Sequence, residues 1–142
     1  MAVRKTVPVD GVKKADLEEL SEFRYRLRKF LRFSEEIVHA EGITPLQYQL
    51  MLHVRGCVGR DWATVGEIAE RLQAAPHGTV ALVSRCEEAG LVIRKTNKED
   101  KRQVEVHLLP KGERLLNRLA VKHKLEIVSF GWALKGRVGS DR

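Results

Sequence analysis

Cysteine is scarce in this sequence: Cys57 and Cys86 are the two in 142 residues. They match neither a zinc-ligand spacing nor the disulfide framework of a small secreted domain, which points to a reducing compartment. Aromatic residues are also few, at 6%. No apolar run approaches the ~18 residues that cross a bilayer. The opening stretch "MAVRKTVPVDGVKKAD" has no apolar core of a secretory leader, so a cytoplasmic location is expected and a membrane partner is not. Catalytic patterns are missing too. The five histidines, His39, His53, His77, His107 and His123, show no HExxH or other ligand spacing, and there is no glycine-rich phosphate loop. Without paired carboxylates or a nucleophile beside a base, the expectation is a chain that is not an enzyme and needs no metal or cofactor.

What is present is positive charge. The net charge of +7 favours anionic partners, with nucleic acid ahead of an anionic membrane surface. Hydrophobic residues at 43% and charged residues at 32% are globular proportions. A chain of this length fits one domain, which buries roughly two-thirds of its unfolded surface.

Hydrophobic periodicity orders the chain. From Asp16 and Glu19 onward, Leu20, Phe23, Leu27, Phe30, Leu31, Ile37 and Val38 recur at helical steps, and "EGI" ends the segment. So long an amphipathic helix in a small protein predicts subunit association. Thr44, Pro45 and Gln47 in "TPLQ" form a capping signature that opens a helix to about Cys57, burying Leu46, Leu50, Val54 and Val58. Thr64 and Glu67 repeat the signature for a two-turn helix with Val65, Ile68, Ala69 and Leu72 inward. A third helix begins near Pro76, buries Thr79, Leu82, Val83 and Cys86, and stops at Gly90. Two short helices joined by a tight turn form a helix-turn-helix.

The period then changes to two. "LVIRKT" and "VEVHLL" read as strands, the second with Val104, Val106 and Leu108 inward and Glu105 and His107 outward. The charged stretch "RKTNKEDKRQ" therefore forms the tip of a hairpin, or wing, over residues 91–109. "PKGERLLNRLAVKHKLEIVSFGW" starts a second long helix at Pro110, with Leu115, Leu116, Leu119, Leu125, Ile127 and Val128 apolar. After Trp132, the glycines of "ALKGRVGSDR" are expected to extend it poorly. The fold class is mainly α with a small β-hairpin. A single domain over 1–142 comprises a winged helix-turn-helix lobe over 44–109 and a helical dimerisation region over 1–43 and 110–142.

Taken in order, "TPLQYQLMLHV", "TVGEIAERL", "VALVSRCEEAGLVIR" and "EDKRQVEVHLLPKGERLL" resemble the MarR family of winged-helix transcription regulators. The likeness runs from about residue 16 to 130. Its most specific pieces are "LVSRCEEAGLV" and the D-x-R of Asp100 and Arg102 before the alternating strand and "PKG". The resemblance implies a homodimer on double-stranded DNA; a two-fold dimer predicts a pseudo-palindromic operator, and repression is the expected role with activation left open. It also implies that Arg102 reaches the minor groove while Asp100 shapes the wing. Arg94, Lys95, Lys98 and Lys101 are further cations on or beside the hairpin, placed to neutralise phosphates. The groove-facing side of the third helix carries Pro76, His77, Gly78, Val80, Ala81, Ser84 and Arg85. Val80 and Ala81 stand where many relatives have a hydroxyl and an arginine, so polar base readout is weakened and thymine-methyl contact favoured.

A small aromatic or carboxylate effector is the family's common signal, and His39, Tyr48, His53 and Trp62 are candidates to line its pocket. The family's alternative signal is thiol oxidation, but here no cysteine lies in the first long helix. The Val80-Ala81 departure also leaves open a ligand-binding or protein-interaction module that has lost sequence-specific DNA binding.

Overall fold

Helix α1 (Lys14–Ala40) starts two residues before Asp16. Lys13 takes the cap position, and Asp16, three residues on, accepts its backbone N–H at 2.8 Å. The carboxylate thus satisfies one of the donors that a helix start leaves open and sits favourably against the dipole. Residues 11–138 are described in this computed structural model, with side chains as far as Phe130.

Thr44 opens α2 (Pro45–Arg55) through a reciprocal box: its hydroxyl accepts the Gln47 N–H at 3.2 Å, and Gln47 Oε1 accepts the Thr44 N–H at 2.9 Å. Thr64 and Glu67 do the same for α3 (Val65–Leu72). The helix α4 (Pro76–Glu88) turns Thr79, Leu82, Val83 and Cys86 into the core, as the periodicity predicts. Gly90, at φ +74°, takes the left-handed conformation that ends α4 and starts the wing.

Between α2 and α3 lies a strand that the periodicity misses, β1 (Trp62–Thr64). Three residues are too few for an alternation to register. With β2 (Val92–Thr96) and β3 (Val104–Leu108) it makes an antiparallel sheet in the order β1-β3-β2, so the wing is a three-stranded sheet rather than a lone hairpin. One sheet face carries Ala63 opposite Val106, and Val106 opposite Arg94. The other carries Trp62 opposite His107, and Glu105 opposite Lys95.

Helix α5 (Pro110–Val138) runs without a break, so the glycine-bearing stretch after Trp132 continues the helix as far as Val138. Residues 139–142 and the basic N-terminal residues 1–10 lie outside the described part. Leu115, Leu116 and Leu119 join the main core, whereas Leu125, Ile127 and Val128 are exposed in the single chain. Two burial expectations on α2 fail. Leu46, in the first turn, is half exposed, and Val58 lies beyond the helix end at Gly56 and projects outward. Tyr48 and Met51 are buried on α2 with Leu50 and Val54.

Helix α5 begins where the wing ends, and glycine makes this possible. The Leu91 carbonyl accepts the Leu109 N–H at 2.9 Å and lies directly against Gly112. A methyl group on Gly112 would come within 2.2 Å of that carbonyl oxygen.

Candidate nucleic-acid interface

On α4, burial of one face leaves Pro76, His77, Gly78, Val80, Ala81 and Arg85 exposed, with Ser84 half-buried beside them. The cap residue Ala75 offers no side-chain acceptor; its carbonyl takes a hydrogen bond from the Thr79 hydroxyl at 3.0 Å. The exposed face is small and mostly apolar at its centre. Arg85 is the one cation along it.

The wing supplies the charge. Lys95, Lys98, Lys101 and Arg102 are exposed, and the Arg102 side chain is 92% accessible. Asp100 Oδ1 accepts both the Arg102 backbone N–H at 3.1 Å and its Nε–H at 3.2 Å, holding the base of the guanidinium while leaving it in solvent. Arg94 is different. Its backbone N–H and Nε–H both donate to Glu87 on α4, at 3.0 and 3.3 Å, so it fastens the wing to the helix instead of projecting as a free cation.

The tip has an organiser that sequence reasoning missed. Asn97 Oδ1 accepts the N–H groups of Glu99 and Asp100 at 2.9 and 2.8 Å, an Asx-type turn. Its amide nitrogen donates to Glu105 on β3 at 2.6 Å, and the Asn97 N–H closes the hairpin on the Gln103 carbonyl at 3.1 Å. "TNKED" carries the signal, an asparagine just before the tip residues.

The four effector-pocket candidates sit in different surroundings in the single chain. His39 is exposed at the end of α1. Tyr48 is buried, which raises its hydroxyl pKa, and stacks on His123 with ring centroids 4.4 Å apart. Trp62 lies on β1, stacked against His107. His53 borders a cavity of about 500 Å³, with Leu52, Cys57, Arg60, Glu67 and Arg71 among its neighbours.

Burial, with Arg71 nearby, holds the His53 pKa below its ordinary value. The unfolded chain therefore binds a proton that the folded state resists, so this contribution to stability is present above about pH 6.5 and is lost as pH falls below it. A series of denaturant titrations should show that slope flattened in His53→Gln.

His123 was also missed as a structural residue. It is 4% exposed, donates from Nδ1 to the Leu119 carbonyl at 2.8 Å, and shares a 2.7 Å hydrogen bond between Nε2 and the Ser34 hydroxyl. It joins α5 to α1 and α2, the junction of the helical region and the winged lobe. Burial pushes the Cys86 thiol up to about 11, against a small opposing effect of Arg85, so it stays a protonated core residue at neutral pH. Among the described residues no group of three or more His, Cys, Asp or Glu side chains could hold a metal ion, and no helix is long and apolar enough to cross a membrane.

Comparison with known proteins agrees with this geometry. A family model described as the MarR family matches residues 41–103. The uncharacterized HTH-type transcriptional regulator YsmB of Bacillus subtilis is 32% identical over 95 residues, covering 63% of this chain and 59% of YsmB. The chain thus spans less than two-thirds of the length of the curated relatives it matches. A MarR family protein from Bacillus stearothermophilus superposes with a TM-score of 0.71 at 26% identity, covering 91% of this chain and 97% of that one. A mutant of MepR from S. aureus, bound to an oligodeoxyribonucleotide, superposes at 0.63 with 18% identity, covering 86% and 94%.

Proposed function

We propose that this chain is a cytoplasmic, DNA-binding transcriptional regulator of the MarR family that represses by occupying an operator as a homodimer; the family match over residues 41–103 and the likeness to the Bacillus stearothermophilus protein support the family. The observation that carries this reading is one lobe presenting two complementary surfaces. The α4 face around Val80 and Ala81 is free of charge except for Arg85, and the adjoining tip carries Lys98, Lys101 and Arg102. The Glu87–Arg94 bond holds the two in fixed relation. Helix and tip suit adjacent grooves: α4 packs methyl groups against thymines in the major groove while Arg102 enters the minor groove. Phosphate contacts supply most of the affinity and make it salt-dependent. The oligonucleotide bound to MepR is a ligand of the same class.

A dimer accounts for the apolar surface that a single chain leaves bare. Leu17, Leu20 and Leu31 on α1 are 53%, 60% and 52% exposed, and Leu125 and Val128 on α5 are 71% and 65% exposed. Side chains of this size cost roughly 1.5–3 kcal/mol each to leave in water. A second copy related by a two-fold axis would present two α4 helices to successive major grooves, and the operator would be an inverted repeat with half-site centres ~34–36 Å apart. Paired charges on this face, in Leu20→Glu with Leu125→Glu, should give a monomer in sedimentation and abolish tight binding to an inverted repeat; a persistent dimer would place the interface elsewhere.

For release by a small molecule, we place the effector in the cavity beside His53. Arg71 suits a carboxylate, and Leu52 and Val58 suit an apolar or aromatic body. The test of the whole reading is a titration with duplex DNA: binding that weakens steeply with salt supports it, and no binding at low salt contradicts it.

A further inference from the structure

On the outer face of the wing sheet, opposite the core, a continuous set of contacts runs from the start of α3 to the wing tip. Glu67 completes the capping box of α3 with Thr64 and also pairs with the Arg60 guanidinium. Burial opposes ionisation of Glu67 more than any other single influence, but the hydrogen bonds from Thr64 and Arg60, with the Arg60 charge, together leave its pKa below the ordinary value. Arg60 lies over the Trp62 ring, 4.1 Å from its centroid. Trp62 in turn stacks on His107, its cross-strand partner, with centroids 5.9 Å apart and planes 29° from parallel. The His107 Nε2–H donates to Glu105 at 2.9 Å, and the other Glu105 oxygen accepts the Asn97 amide. Asn97 shapes the turn that carries Asp100, which holds Arg102.

Each link has a direction. A carboxylate can only accept, so Glu105 draws in the His107 N–H on one side and the Asn97 amide on the other. That fixes the amide orientation of Asn97: its oxygen faces the Glu99 and Asp100 N–H groups, and the turn has one orientation instead of two. His107 cannot swing away while Trp62 packs against it, and Arg60 packs over the Trp62 ring in turn. The sheet core cannot perform this task. It holds the strands through Ala63, Val106 and Val92, whereas the tip lies beyond the last ladder pair, Thr96 with Val104.

We infer that Trp62 is the positioning residue of the wing: through His107, Glu105 and Asn97 it sets where the Asp100–Arg102 tip stands relative to α4. The inference rests on the DNA-binding reading for its consequence and on the protein alone for its geometry. Trp62 touches no DNA in this account. Its effect on binding passes entirely through Arg102.

Two measurements decide it. In the DNA-free protein, Trp62→Ala should change the amide chemical shifts of Glu99 and Asp100 and speed their hydrogen exchange, while the amides of α4 keep theirs and Trp62→Phe restores the tip. Unchanged tip amides in Trp62→Ala would overturn the inference, whether or not the protein binds DNA. In titrations with duplex DNA, Trp62→Ala and Arg102→Ala should each weaken binding about tenfold, and together little more than either alone, the non-additivity expected of groups acting through one another. Additive losses would also overturn it. If the wild-type protein binds no DNA, the proposed function fails and the amide measurement still judges the positioning role.

Discussion

Replacing Gly112 with alanine should lower the free energy of unfolding by about 3 kcal/mol, the upper range for forcing an extra group into a packed site. That is a large share of the ~5–15 kcal/mol that holds a domain together. The added methyl would meet backbone, the Leu91 carbonyl oxygen at 2.2 Å and its carbon at 3.0 Å, so no side chain can swing aside to make room. Either α5 lifts from the wing base or Leu91 moves and loses its hydrogen bond from Leu109. Gly78→Ala gives the contrast. Nothing lies within 4 Å of a methyl there, and the residue is helical, so this change should stabilise by about 0.5–1 kcal/mol. Thermal melting of the two variants should bracket the wild type, with Gly112→Ala lower by roughly 10 °C. Equal melting temperatures for Gly112→Ala and wild type would mean that the wing base and α5 are not in contact as described.

Arg102→Ala should weaken operator binding about tenfold and reduce the slope of log affinity against log salt by about one, the signature of one lost phosphate-region contact. Lys98→Ala and Lys101→Ala should each flatten the slope with smaller losses, because a flexible ammonium on an exposed loop is a weaker and less directed partner than a held guanidinium. Asp100→Ala separates charge from placement. It removes a negative group, which alone would favour DNA, yet frees Arg102 from its two hydrogen bonds. Weaker binding by Asp100→Ala would show that orientation outweighs net charge at this tip. Arg94→Ala should register first as lost stability, since its guanidinium is engaged with Glu87.

Local capping chemistry made most of the helices legible. Thr44 with Gln47 and Thr64 with Glu67 fix their helix starts through bonds only three residues long, and Thr79, Leu82, Val83 and Cys86 mark the buried face of α4 by spacing alone. The strand β1 was not legible, because three residues flanked by a loop carry no period and pair only through distant β3. For the same reason Trp62 read as a pocket residue: its partner His107 is remote in sequence and near only once the sheet forms. Arg94 read as one more wing cation, and only the fold brings Glu87 alongside it. The exposed leucines of α1 and α5 show the opposite case. Their pattern was plain, but a single chain contains nothing that covers them.

The central claim, that α4 and the wing of a two-fold dimer read DNA, is tested most directly by selecting duplexes from a random pool with the purified protein and sequencing those retained. The expected result is an enriched inverted repeat, thymine-bearing at the positions facing Val80 and Ala81, with half-site centres about ten base pairs apart. A pool with no enriched repeat, although the protein is folded and dimeric, would contradict it.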